Sequence, residues 1–184
     1  MPNDASPVAP ATVDHRDPIA SLSAMLRTGA TSTGERARLR RADPAAGSRD
    51  ALFEAERLFR SAGIAADDPE RHRRWFLVLH CLALAEGRHD ARGAAEAGAV
   101  LARLRFSEAR VQQLVEADLS TLFDLLPRIA RRIAADAAAL NWWPLAELAL
   151  GTESGDAERE QAADRARRRI VHHFVAAAAA RDAA

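Results

Sequence analysis

The groups in this sequence with the most obvious chemistry are guanidinium groups crowded into one short stretch. Residues 32–44 read S-T-G-E-R-A-R-L-R-R-A-D-P, with Arg36, Arg38, Arg40 and Arg41 set against only Glu35 and Asp43. Ser32 and Glu35 have the S-x-x-E spacing of a capping box, which opens a helix by satisfying backbone N–H groups at its start. Asp43 precedes Pro44, and the residue before a proline is pushed out of helical geometry, so the helix must end there. Arg36 and Arg40 are four residues apart and Arg38 and Arg41 three, so the helix shows cations on two faces. Ala37, Leu39 and Ala42 form only a thin apolar stripe. A guanidinium is planar, permanently charged and shaped to contact phosphate through two hydrogen bonds, which makes a nucleic-acid backbone its natural partner. The competing reading is a solvated surface helix in an arginine-biased protein.

Composition sharpens that choice without making it. The chain has 184 residues, 26 basic and 26 acidic, for a formal net charge of zero. Every basic residue is arginine, and there is no tyrosine. A neutral chain gains no long-range steering toward nucleic acid, so any such binding must come from local patches. Local charge adds Arg103, Arg105, Arg128, Arg131 and Arg132 as further candidates. The single Cys81 excludes an internal disulfide framework and fits a reducing, cytoplasmic setting. The first sixteen residues lack the basic-then-apolar order of a secretory signal. The longest apolar run, Trp75–Ala85, is interrupted by His80 and is shorter than the roughly 18 residues a membrane span needs.

Other chemistry is thinly represented. There is no glycine-rich phosphate loop, no G-x-S-x-G and no H-E-x-x-H. Glu86 and His89 have the E-x-x-H spacing of a diiron helix, but Gly87 interrupts it and no second copy exists. His80, beside Cys81 inside an apolar helix, reads as a core histidine with a satisfied ring rather than half of a nucleophile pair. His172 and His173 are adjacent and cannot share a helix face. The expectation is a protein with no enzymatic step, no metal and no cofactor.

The elements that must position the arginines are all helices. Residues 1–16 read as a disordered tail, too poor in large apolar groups to offset the entropy of ordering. Asp17-Pro18 has the favoured N-cap and N1 order for a first helix carrying Ile19, Leu22 and Leu26, closed by Gly29. After the arginine helix, Ser48 is positioned to cap a third, with Leu52, Ala55, Phe59 and Ala62 on one face. Asp68-Pro69 opens a fourth, apolar nearly all round from Trp75 to Ala85 and so expected to form the axis of the fold. Its first turn carries Arg71–Arg74 where the helix dipole disfavours cations. Asp67, Asp68 and Glu70, or an external anion, are expected to offset them.

A short helix at 99–104, one capped by Ser107 with Val111, Leu114 and Val115 inward, and a long one over 119–139 follow. Pro127 is expected to kink or restart the long one. Asn141 is expected to cap a short helix with Trp142, at least one of Trp142 and Trp143 being buried, and Gly151 to close it. A final helix over about 156–179 runs from acidic to basic, with Ile170, Val171 and Phe174 inward. The fold class is all-α: a compact bundle of eight or nine helices around a buried central helix, spanning 17–180 as one domain or as two packed halves meeting near 87–98, with 181–184 frayed.

The stretch G34-x-R36-A37-x-L39-R40-R41 resembles the N-terminal signature of the CasB family, the small subunit of the type I-E CRISPR Cascade complex. Gly98–Leu104, then Ser107-Glu108-Ala109-Arg110 opening a helix, resembles that family's middle segment. Asn141-Trp142-Trp143 into Leu145, Leu148 and Gly151 resembles its aromatic short helix, and the arginine-rich final helix falls in the corresponding place. The resemblance runs in one order from about residue 30 to 175. The sequence departs from the pattern in its neutral net charge and in Ile170-Val171-His172-His173-Phe174, where the family usually ends in Trp and Tyr.

What the resemblance implies is an all-helical, non-catalytic subunit in antiviral defence, paired with a second copy of itself beside other Cascade subunits. It would hold the hybrid of guide RNA and target DNA and steady the displaced strand of the R-loop. Residue by residue, it implies Arg36, Arg40 and Arg41 as backbone contacts, with Arg110 nearby. Two competing readings are a free helical DNA-binding regulator and a protein-only helical adaptor. The first would need a recognition helix presenting base-reading residues, and the arginine helix lacks the usual Asn, Gln and Ser.

Overall fold

A computed structural model describes residues 16–46, 51–90, 92, 93 and 95–183. Of the tail expected over 1–16, residues 1–15 lie outside them, as do the Ser48 cap and residue 184, while Arg16 begins the first helix. Nine α-helices and no strand make up the regular structure of the described residues: α1 (Arg16–Arg27), α2 (Thr33–Arg41), α3 (Leu52–Ser61), α4 (Pro69–Leu84), α5 (Ala97–Arg103), α6 (Glu108–Glu116), α7 (Leu119–Ala135), α8 (Trp143–Gly151) and α9 (Ala157–Asp182). The fold is all-α.

Local sequence sets most of the helix starts. Ser32 and Glu35 form the full reciprocal capping box on α2. Asp68 caps α4 with Pro69 in its first turn, Ser107 caps α6, Asp118 caps α7 and Asp156 caps α9. Asn141 also serves the start of its helix, its Oδ1 accepting from the Trp143 N–H at 3.1 Å. The first helix starts at Arg16, so it already includes Asp17, the expected N-cap, ahead of Pro18.

Four helices end in the same device, in which two backbone N–H groups turn back onto carbonyls of the last turn around a left-handed residue. That residue is Gly63 after α3, Glu86 after α4, Arg105 after α5 and Ala137 after α7, with φ of 70°, 56°, 59° and 52°. Only the first is glycine, and a side chain at such a φ costs about 1 kcal/mol or more.

The axis is α4, buried from Arg74 through Ala83. Helices α1, α2, α7 and α8 pack on it, while α5 and α8 make the most extensive helix contacts of the fold, both against α9. Two glycines make those contacts possible. A Cβ at Gly98 would lie 2.0 Å from the Ile170 carbonyl oxygen, and one at Gly151 would lie 2.1 Å from that of Arg159. Gly151 therefore does more than end α8: it lets α9 cross at backbone distance. Trp142 and Trp143 are both buried, and the Trp142 indole N–H donates to the Arg88 carbonyl at 3.0 Å.

One expectation is corrected and two pairs of alternatives are narrowed. Helix α7 runs unbroken through Pro127, so the proline does not restart it. Leu52 and Val171, placed inward by periodicity, are exposed, and Phe53 beside Leu52 is 89% exposed. In the Arg71–Arg74 cluster, Glu70 pairs with Arg74 at 2.9 Å and lies 3.9 Å from Arg73, in line with the first of the two alternatives. Arg74 is buried, its Nε donating to Glu70 and its Nη atoms to the carbonyls of Ala149, Thr152 and Glu153 at the end of α8. Arg73 lies 4.4 Å over the Phe123 ring. These contacts stand where an external anion was one of two expectations.

Candidate nucleic-acid interface

The ten candidate arginines divide into groups that differ in what already occupies them. On α2, three are engaged. Arg36 turns inward, its Nη1 donating to the Thr31 carbonyl at 2.8 Å and the Leu26 carbonyl at 3.3 Å, with Nη2 3.4 Å from Thr33 Oγ1. It thereby ties α2 to the end of α1, where the last carbonyls of a helix lack partners. Arg38 donates from Nε to Glu54 on α3 at 2.7 Å and pairs with the same carboxylate through Nη2. A second ion pair, Arg57 with Glu35 at 2.7 Å, holds the same two helices together. The hydrogen bonds from Ser32, aided by Arg57, hold the Glu35 carboxyl down at about 2.

Arg40 Nε reaches the Arg36 carbonyl at 3.4 Å. With Arg36 and Arg27 it lines a small cleft that also contains Glu86. Glu86 pairs with Arg88 at 2.8 Å, and the hydrogen bond from Arg88, with the charges of Arg88 and Arg40, lowers its carboxyl below the ordinary range. The cleft is therefore partly neutralised from within. Arg41 is exposed.

The second group converges from three separate elements. Arg105 from the α5–α6 turn, Arg110 from α6, and Arg128 and Arg132 from α7 line one groove of roughly 480 Å³. All four are exposed, and among the described residues no carboxylate lines the groove. Its floor is apolar, made by Leu104, Leu114, Leu125 and Ile129, with Phe106 and Gln113 completing the wall. Of the four guanidinium groups, Arg132 has a partner outside the groove, Asp136 at 3.1 Å, on the exposed face of the same helix. Exposed pairs of this kind contribute about 1 kcal/mol or less, so Arg132 is readily redirected.

Helical spacing explains the aim of the α7 arginines. Arg128 and Arg132 are one turn apart on the outer face, while Ile129 and Ile133 are buried beneath them. Arg131 is exposed but acts on different groups: its charge adds to the lowering of His80 on α4 and only partly opposes the burial that raises Cys81 beside it. Arg103 is exposed and does not line the groove.

Three contributors were not singled out from sequence: Arg27, Phe106 and Gln113. Phe106 had a readable signal. It directly precedes the Ser107 N-cap, where an apolar residue often braces the first turn, and it sits between arginines.

The other candidate chemistry resolves into structure. His80 is buried and its Nδ1–H donates to the Leu39 carbonyl at 2.8 Å, which anchors the last turn of α2 to the axis helix. Burial lowers its pKa, with Arg131 adding to the shift. His89 is buried and accepts from the Trp142 N–H at 3.2 Å through Nδ1. Burial raises the Cys81 thiol beyond any useful nucleophilic range. Among the described residues, no three His, Cys, Asp or Glu side chains gather as a metal site would require. No helix among them is long and apolar enough to cross a membrane.

No curated protein and no solved structure matches the chain significantly. Residues 35–181 match the family described as CRISPR-associated protein Cse2. That span takes in α2, the axis helix, all three elements of the arginine groove and nearly all of α9. The chain belongs to the CRISPR-associated Cse2 family.

Proposed function

We propose that this protein is the non-catalytic small subunit of a type I-E CRISPR guide-RNA complex, holding nucleic acid by its backbone while the guide and target pair. The family match supports a place in the complex. The observation that carries the binding role is the groove in which Arg105, Arg110, Arg128 and Arg132 converge with no carboxylate among the described residues that line it.

Arginines at such a site neutralise phosphates and release condensed counterions, an effect that is independent of sequence and sensitive to salt. Sequence-blind binding is what a guide-directed complex requires of its protein, because base pairing with the guide reads the target. Zero net charge suits a subunit that packs against protein neighbours and engages nucleic acid through one patch. The partners in this reading are other Cascade subunits, a second copy of the chain, guide RNA and target DNA, in the cytoplasm.

The test is a salt titration of binding to several unrelated DNA sequences. Affinity falling linearly on a log–log plot, with a similar slope for every sequence, is expected. Strong preference for one sequence would favour a regulator, and no salt-dependent binding together with failure to assemble would favour a protein-only adaptor.

A further inference from the structure

The groove has more than the cations that phosphate binding needs. Beneath the arginines lie Leu104, Leu114 and Ile129, buried in the core, and the half-buried Leu125. Phe106, only partly buried against the core, forms part of the same wall. A site that met phosphates alone would gain nothing from a half-buried aromatic ring in its wall, since phosphate oxygens are strongly hydrated and are met by N–H donors. The combination of a cationic rim with an aromatic face is the design by which single strands are held. Arginines track the backbone while bases stack on rings, at about 1–3 kcal/mol per base. The groove volume of roughly 480 Å³ lies within the range of about 300–1,000 Å³ typical of small-molecule sites. Gln113, on the wall, supplies an amide able to hydrogen-bond a base edge.

We infer that the groove takes an unstacked nucleobase of a single strand against the half-buried Phe106 and Leu125, with Arg105, Arg110 and Arg128 holding the flanking phosphates. This inference rests on the nucleic-acid reading above and narrows it to single strands. A duplex keeps its bases stacked and paired and would offer the groove only phosphates. The turn that carries Phe106 is stiff: the Arg105 N–H donates to Ala102 O at 3.0 Å and the Phe106 N–H to Leu101 O at 3.1 Å. The ring is thus held by the end of α5 without needing a ligand to order it.

The experiment compares the full chain's affinity for a labelled fifteen-nucleotide deoxythymidine strand with that for the same strand carrying abasic sites at alternate positions, at low salt. The abasic strand keeps every phosphate, so it is expected to bind roughly tenfold more weakly. Phe106→Ala should lose a similar factor on the intact strand and none on the abasic one, while Phe106→Trp should retain the discrimination. Equal binding of intact and abasic strands by the natural protein would overturn the base site while leaving the backbone reading in place. Tighter binding of a duplex, or displacement of the strand by a polyglutamate peptide at matched charge, would also overturn it. Failure to bind either strand would overturn it as well, and assembly into the guide-RNA complex would then decide the broader reading separately.

Discussion

The arginines of α2 and the arginines of the α5–α6–α7 groove have the same chemistry and different employment. On α2, Arg36 is spent on the carbonyls of Leu26 and Thr31, and Arg38 on Glu54. In the groove, Arg105, Arg110 and Arg128 are exposed around a lining without carboxylates among the described residues. Density of charge along the sequence marked the first group, whereas availability of charge in space marks the second. A guanidinium already making two or three internal hydrogen bonds must break them to meet a phosphate, and that exchange gains little.

The sharpest way to break this distinction is to remove arginines from each side and read affinity and stability together. Arg110→Ala combined with Arg128→Ala should weaken single-strand binding on the order of a hundredfold, at about 1.5 kcal/mol for each charged hydrogen bond lost. It should also lower the log–log salt slope by about 0.7 per arginine. The urea midpoint should stay where it was, because neither side chain bridges elements of the fold.

Arg36→Ala should do the reverse. Loss of its partly buried hydrogen bonds should cost about 1–2 kcal/mol in urea unfolding, with groove affinity within about twofold of the natural protein. If Arg36→Ala instead abolished binding in a stable protein, the assignment of α2 to structure would be wrong.

Arg105 sharpens the comparison because its two roles oppose each other. Its backbone is left-handed at φ 59°, where glycine is at ease and arginine is not. Arg105→Gly should therefore stabilise the fold by up to about 1 kcal/mol while reducing single-strand affinity several-fold. Ala137→Gly relieves the same conformation at φ 52° and should stabilise without touching affinity.

The smallest effect concerns acid. Glu35 sits at about 2 against an ordinary 4.5. Its folded pKa is depressed, so its contribution is complete above about 4.5 and is lost as pH falls toward 2. His80 is likewise lowered from 6.5. An unfolded chain then takes up its proton first, so stability also declines as pH drops below about 6.5. Glu35→Gln should flatten the lower part of a stability–pH curve and His80→Phe the upper part. Groove binding should be flat across the neutral range, since the cations lining it are all arginines.

Much of the fold could be read directly because it is governed by neighbours in sequence. The capping box at Ser32, the Asp68-Pro69 start and the Ser107 cap each depend on residues within one turn. Even His80, read as a satisfied core histidine, has its partner in Leu39. What periodicity could not supply was the identity of the surface each face meets. Leu52 and Val171 fall in step with buried neighbours yet are themselves exposed. Gly98 and Gly151 look like helix punctuation and instead permit two helices to approach α9 at backbone distance.

The site shows the same limit more strongly. Arg105 and Arg132 are far apart in sequence and meet only because α5, α6 and α7 pack around Leu114 and Ile129. Arg36 looked like a cation free to meet phosphate because its acceptors, the carbonyls of Leu26 and Thr31, carry no sequence signal at all.

The most direct test of the central claim is co-expression with the other Cascade proteins and a guide RNA, followed by native mass of the particle with and without target DNA. The account predicts that the chain enters the particle, and that the Arg110→Ala, Arg128→Ala protein enters it equally well but fails to retain the target. A chain that purifies alone, or a groove variant that assembles and holds target DNA as firmly as the natural protein, would contradict it.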